Sequence, residues 1–296
     1  MDKCLCKGFI KRMDCVNIED MWNNHGGLRM KLIQLLFSFV LLLSACSVTQ
    51  EETANEADEA VEATEEAKET ETKETEKPEE MSKEEQMIQS LPESANLNDW
   101  NLILVNPWEA LPEDFTPNLV EVDNEQRIDA RIEDAWYNWK QAALEAGHRL
   151  FFASGYRSID LQEANFNRTV EENMQAGMTE EEATDKAKEY LTEPGHSEHH
   201  TGLALDIVDE EWIVAGKGLI PEYATQASQQ WLAETMQDYG FILRYPEGKE
   251  EITGIQYEPW HFRYVGEEHA RFIVEHELAL EEYIEFIVLR DERTDE

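Results

Sequence analysis

Apolar residues recur at Ile128, Ile132, Trp136, Trp139, Ala143 and Ala146, in steps of three and four that describe one face of a helix over 127–146. Arg149-Leu150-Phe151-Phe152-Ala153 then reads as a strand running into the loop Ser154-Gly155-Tyr156-Arg157-Ser158. A helix is predicted from Ile159 and a second, acidic one from Glu180 to Tyr190. Leu203 to Ile207 has the apolar density of a buried strand, interrupted by Asp206. Trp231, Leu232, Met236 and Tyr239 share a helical face that stops at Gly240, a favoured C-terminal cap. Upstream, Leu102-Ile103-Leu104-Val105 predicts a short buried strand followed by a turn through Leu111-Pro112. A strand over Trp260 to Val265 and one closing acidic amphipathic helix complete the pattern. Helices and strands mixed without βαβ alternation predict an α+β fold.

The N-terminal third follows different rules. Leu32 to Ala45 is an apolar run broken only by Gln34, Ser38 and Ser44, with Arg29 and Lys31 as its basic flank. It is too short to span a bilayer and suits the core of an export signal. The run ends in Leu43-Ser44-Ala45-Cys46, which resembles a bacterial lipobox, so Cys46 is the expected lipidation site and first mature residue. Residues 1–29 fit no signal pattern. Gly26-Gly27 can be encoded as a ribosome-binding sequence two codons before Met30, so translation is expected to start there and 1–29 to be an upstream extension. A zinc knuckle on Cys4, Cys6 and Cys15 lacks a fourth ligand at sensible spacing.

Composition changes the picture in two places. Glu51 to Glu80 holds 14 acidic residues and three Lys with no aromatic residue, which predicts a disordered tether over 46–96, with a solvated helix as the alternative within it. Seven of the eight Trp lie between Trp100 and Trp260, which places the folded domain at 97–290. The net charge of −40 argues against nucleic acid as a partner, because phosphate binding needs clustered Lys and Arg. All four Cys lie at or before Cys46, so the domain must be held by its core or by a metal rather than by disulfides.

Candidate chemistry concentrates in three pieces: the loop 154–158, the stretch from Pro194 to Asp206, and Tyr257 to Tyr264. His196, His199 and His200 crowd together, and Asp206 sits among aliphatics where an unpaired carboxylate is costly. Two His and an Asp with one open position would make a catalytic zinc site. Glu258, three residues before His261, is near enough to act as general base. His269 and His276, in the closing helix, are expected to be solvated.

At these residues the chain resembles the zinc D-alanyl-D-alanine carboxypeptidases of the VanY type. The likeness rests on Ser197-Glu198-His199-x-x-Gly202-Leu203-Ala204-x-Asp206, on Glu258-Pro259-Trp260-His261, on Ser154 to Ser158 with Gln162, and on Ile252 to Ile255. It reaches back to Leu104-Val105-Asn106 and Leu111-Pro112, and so spans roughly 100–266. It implies one zinc peptidase domain with a small mixed, mainly antiparallel sheet flanked by helices. It further implies Zn2+ held by His199, Asp206 and His261, Glu258 as catalytic base, and Arg157 polarising the substrate carbonyl. A ligand at His200 would break the family's seven-residue spacing to Asp206. Ser154, Gln162 and Ser197 are weaker candidates for substrate contacts, and Trp260 is expected to pack behind His261.

The implied reaction removes the terminal D-alanine from peptidoglycan stem peptides, on a domain lipid-anchored at the outer face of the cell membrane. An L,D-carboxypeptidase acting on tetrapeptide stems is the alternative within the family. A non-catalytic zinc-stabilised wall-binding protein is the alternative outside it, and it would need neither Glu258 nor Arg157. His200 stands where the family commonly has Gln and is expected to alter the pocket wall, and the helix over 180–190 to influence substrate preference.

Overall fold

The structure is a computed structural model that describes residues 81–294. The expected upstream extension, export signal, Cys46 and the acidic tether as far as 80 lie outside the described residues.

The first described element is helix α1 (Lys83–Ser90), opened by a capping box between Ser82 and Glu85. A small antiparallel hairpin follows, β1 (Leu119–Glu121) with β2 (Arg127–Asp129), which leads into helix α2 (Glu133–Glu145). Strand β3 (Leu150–Ser154) then runs into the helical pair α3 (Ile159–Gln175) and α4 (Glu180–Lys188). After these come β4 (Ala204–Asp209), α5 (Glu210–Val214), α6 (Ala227–Thr235), β5 (Phe241–Leu243), α7 (Glu250–Thr253) and β6 (His261–Tyr264). Helices α8 (Glu267–Glu275) and α9 (Leu280–Thr294) close the chain. The main sheet is fully antiparallel, in the order β3-β4-β6-β5.

Strand β4 is buried along both faces, which is why it reads as a nearly continuous apolar run. Because side chains alternate along a strand, Leu203, Leu205 and Ile207 point one way, into a core with Trp136, Trp139 and Leu232. Trp139 stacks on Phe241 at 4.9 Å and meets Phe262 edge-on at 5.1 Å. Val208 faces the opposite side with Trp212, Tyr223 and Trp260. Asp206, in step with Val208, therefore projects from the face away from α2.

Four expectations are corrected. Leu102 to Val105 forms no strand. The carbonyls of Asn101 and Ile103 instead accept from Arg263 Nη2, at 3.0 and 2.7 Å, so side-chain bonds replace a sheet ladder. The helical periodicity over 127–146 spans strand β2 and a 3-10 turn before α2 begins at Glu133, so Ile128 is buried from a strand. The closing helix is two helices. The tether does not run to 96, because Ile88 is buried on α1, and Leu91 and Ala95 are buried in a cluster that includes Leu280, Tyr283 and Ile287. Strand β5, only three residues long, carries too little pattern to be read beforehand. Among the described residues no helix is long and apolar enough to cross a membrane.

Candidate active site

Pairing between β4 and β6 sets Asp206 directly opposite His261. His199 arrives from a 3-10 turn, Glu198–Thr201, that ends at Gly202 in a left-handed conformation (φ 71°). A Cβ at Gly202 would stand 2.9 Å from the Asp129 backbone nitrogen, so glycine is required for this turn to sit against β2. Two bonds dock the turn onto the loop after β3: Arg157 N–H donates to His199 O at 3.1 Å, and His199 Nδ1 donates to Gly155 O at 2.7 Å.

The result is a tight cluster. Among the described residues, His199, Asp206 and His261 offer ligand atoms that all lie within 4.8 Å of one another, and all three are buried. His199 Nε2 is 3.3 Å from Asp206 Oδ2, and His261 Nδ1 is 3.1 Å from Asp206 Oδ1. Despite that proximity, Asp206 Oδ1 makes no hydrogen bond, an unusual state for a buried carboxylate oxygen. The other nitrogen of each ring is engaged: Nδ1 of His199 by Gly155 O, and Nε2 of His261 by Glu198 Oε2 at 3.4 Å. Such outer bonds fix the tautomers of metal-ligating imidazoles. Two nitrogens and one carboxylate oxygen, converging with an orphaned atom between them, fit a zinc ion with an open position.

Glu258 Oε2 stands 3.5 Å from His261 Nδ1, and Arg157 Nη2 stands 3.8 Å from Asp206 Oδ2. Both residues line a cavity of about 190 Å³ together with the three cluster residues. Its remaining wall includes Tyr190, Leu191 and Thr192 after α4, Leu219, Tyr245, Ile255 and Trp260.

Electrostatics divide the groups by role. Burial raises the Glu258 carboxyl, and the charge of Asp206 adds to this; His261 and Arg157 oppose it, leaving the group at about 8. Burial and the nearby Arg157 push His199 down to about 4, so its imidazole is neutral at pH 7. Burial works against a charged His261, but the adjacent carboxylates of Asp206, Glu198 and Glu258 lift it to about 9. Burial likewise opposes ionisation of Asp206, and the two imidazoles outweigh it, holding the carboxylate well below its usual range.

The weaker candidates sort differently. Arg157 donates from Nη1 to Gln162 Oε1 at 2.6 Å and from Nη2 to Ser154 Oγ at 3.1 Å. Gln162, fully buried, also donates from Nε2 to Thr192 O at 2.6 Å. Ser154 and Gln162 therefore hold the guanidinium in place, while Ser197 lines the cavity beside Gln162. His200 is not part of the wall: its Nδ1 donates to Arg157 O at 2.7 Å and its Nε2 accepts from Gly195 N–H at 3.1 Å. The ring against His261 is Tyr245, at 4.8 Å, while Trp260 packs in the cluster with Trp212 and Tyr223. His269 is buried, with Nδ1 2.7 Å from Tyr283 Oη, and His276 packs on Phe272 at 4.4 Å, so neither is a freely solvated imidazole.

Sequence reasoning assigned no role to Glu198, Arg244, Arg263 or Tyr245. A signal was present. Arg244 and Arg263 interrupt apolar strand runs as Asp206 does, and the same cost of an unpaired buried charge applies to them.

Comparison with known proteins points the same way. The sequence model of the family described as VanY: D-alanyl-D-alanine carboxypeptidase matches residues 125–267. A D-alanyl-D-alanine carboxypeptidase of Enterococcus faecalis is 36% identical over 201 residues, covering 68% of this chain and 72% of that protein. The crystal structure of the vancomycin resistance D,D-pentapeptidase VanY, a mutant in complex with Zn(II), has 37% identity and a TM-score of 0.57, covering 63% of this chain and 99% of that one. The structure of the LdcB LD-carboxypeptidase has 38% identity and a TM-score of 0.54, covering 63% of this chain and 86% of that one.

Proposed function

The chain belongs to the VanY family of D-alanyl-D-alanine carboxypeptidases, a family of peptidoglycan hydrolases, and from that premise we propose that it is a zinc-dependent D,D-carboxypeptidase. On this reading it removes the terminal D-alanine from peptidoglycan stem peptides. The observation that carries the proposal is one buried constellation: His199, Asp206 and His261 converge within 4.8 Å, with Glu258 and Arg157 facing the same cavity.

His199 Nε2, His261 Nδ1 and an Asp206 oxygen would hold the zinc, whose Lewis acidity brings the pKa of a water towards neutrality and polarises a carbonyl. Glu258 is the general base. With a cation bound beside it the Glu258 carboxylate would be ionised, able to accept a proton from the attacking water at Oε2 and hand it to the departing D-alanine amine. Arg157 supplies a fixed positive charge for the oxyanion that forms at the scissile carbonyl. Its guanidinium is oriented beforehand by Ser154 and Gln162, so little reorganisation accompanies the reaction. Ser197 is left to meet the substrate backbone or terminal carboxylate.

A second reading has specific support in the resemblance to the LdcB LD-carboxypeptidase: the same constellation acting on a tetrapeptide stem. The test is release of D-alanine from a pentapeptide and from a tetrapeptide stem, with zinc, with chelator, and with Glu258→Gln. Chelator-sensitive release from the pentapeptide that Glu258→Gln abolishes supports the D,D assignment. Release from the tetrapeptide alone moves it to L,D, and release from neither by a zinc-loaded chain overturns the enzyme reading. The apolar run to Ala45 and the lipobox-like end at Cys46 support a further part of the proposal, a lipid anchor on the outer face of the cell membrane. Fatty-acid labelling that survives Cys46→Ser would sink that part.

A further inference from the structure

Behind His261 lies a second cluster of charged side chains. Glu198 Oε2 is 3.4 Å from His261 Nε2, and its other oxygen, Oε1, accepts from Arg244 Nε at 2.7 Å and Arg263 Nη1 at 2.6 Å. Arg244 turns its remaining two nitrogens to Glu281 on α9, in a fork of 2.9 and 2.6 Å. Glu281 Oε1 also accepts from Asn106 Nδ2 at 3.1 Å. Both arginines are fully buried, and so is the Glu198 side chain. Two cations and two anions cancel in this largely buried cluster, but only while every member is present.

Glu281 lies beyond the span 125–267 that matches the family, on a helix remote in sequence from every cluster residue. Its charge decides how strongly Arg244 draws on Glu198. With Glu281 ionised and forked to Arg244, the arginine's charge is shared between two carboxylates, and Glu198 keeps electron density for the Nε2–H of His261. Without that charge, Arg244 and Arg263 both pull on Glu198 alone. The bond to His261 weakens, and Nδ1 becomes a poorer donor to a cation. We propose that Glu281 is a positioning residue for the ligand His261, acting through Arg244 and Glu198. The inference rests on reading His199, Asp206 and His261 as a metal centre.

The test is the zinc dissociation constant of the full folded domain, measured by competition with a chromophoric chelator. In Glu281→Gln the constant is expected to rise by roughly three- to tenfold, below the ten- to hundredfold usual when a direct partner of a ligating His is lost. Glu282→Gln is the control, since Glu282, the next residue of α9, pairs with Lys249 at the start of α7 and stands outside the cluster, and it should bind zinc as the wild type does. Arg244→Lys keeps the charge but loses the fork, and carries the test if Glu281→Gln does not accumulate; it should weaken zinc by a similar factor. The double variant with Glu198→Gln should lose less than the product of the two single losses. A merely structural Glu281 would lower the melting temperature and leave the zinc constant unchanged, and that result overturns the inference, as do multiplicative losses in the double variant. A wild-type chain that binds no zinc overturns the metal-centre reading itself.

Discussion

Two groups of buried charged residues meet at His261, and they are built on opposite terms. On the cavity side, Asp206 Oδ1 has no hydrogen bond and Glu258 is held near 8. On the far side, Glu198, Arg244, Arg263 and Glu281 partner one another, and Glu198 is held well below its usual range by the two arginines despite its burial. Burial alone therefore does not mark the reactive side. What marks it is burial left incomplete: groups whose ordinary charge state is opposed, and an atom waiting for a partner. The satisfied cluster meets the other at His261, through Glu198.

The sharpest separation should come from removing one carboxylate on each side. Glu258→Gln should lower kcat for D-alanine release by about 10²- to 10⁴-fold while leaving the fold intact, as circular dichroism and single-turnover kinetics would show. Glu198→Ala should instead cost about 3–5 kcal/mol of stability, because Arg263 and Arg244 lose a buried counter-charge, read by denaturant unfolding of the metal-free chain. If both variants lose activity with equal, small losses of stability, the distinction between the two sides fails.

A smaller effect tests the cavity side alone. Glu258 and His261 are raised to about 8 and about 9, from ordinary values of 4.5 and 6.5. Between pH 6.5 and 8 the folded metal-free chain thus retains protons that the unfolded chain has given up. Stability should fall as pH rises through this window, by up to about 1.4 kcal/mol per unit for each group. Glu258→Gln should flatten part of the slope, and zinc should remove it while releasing protons, which calorimetry in buffers of different ionisation enthalpy would count. A metal-free chain whose stability rises over this window contradicts the assignment. The smallest effect belongs to His200→Gln, since Gln can replace both bonds to Arg157 O and Gly195 N–H; a change below about 1 kcal/mol is expected.

Legibility followed sequence distance and chemistry. His199 and Asp206 lie on one turn-and-strand segment, and Glu258 and His261 on another, so short motifs carry them. The order of β3, α3, α4 and β4 was readable for the same reason, because periodicity reports which face of a local element is buried. The run Leu102 to Val105 misleads because apolar residues can be buried without a ladder, here with Arg263 binding the carbonyls of Asn101 and Ile103. Ser154 and Gln162 carry groups that suit substrate or a neighbouring side chain equally, and only the structure shows that both bond to Arg157, with Gln162 also in the cavity wall.

By itself the sequence determined the α+β class and the acidic N-terminal segment, which are written in periodicity and composition. The family resemblance carried by its short motifs singled out His199, Asp206, His261, Glu258 and Arg157, five of the residues that converge on the cavity. Only the tertiary structure decided that Glu198, Arg244, Arg263 and Glu281 share one cluster. Arg244 stands 46 residues from one carboxylate and 37 from the other, and no local period links them. Opposite charges find each other there because burial makes any unpaired one costly, and which pairs form depends on where the packed helices and strands bring them.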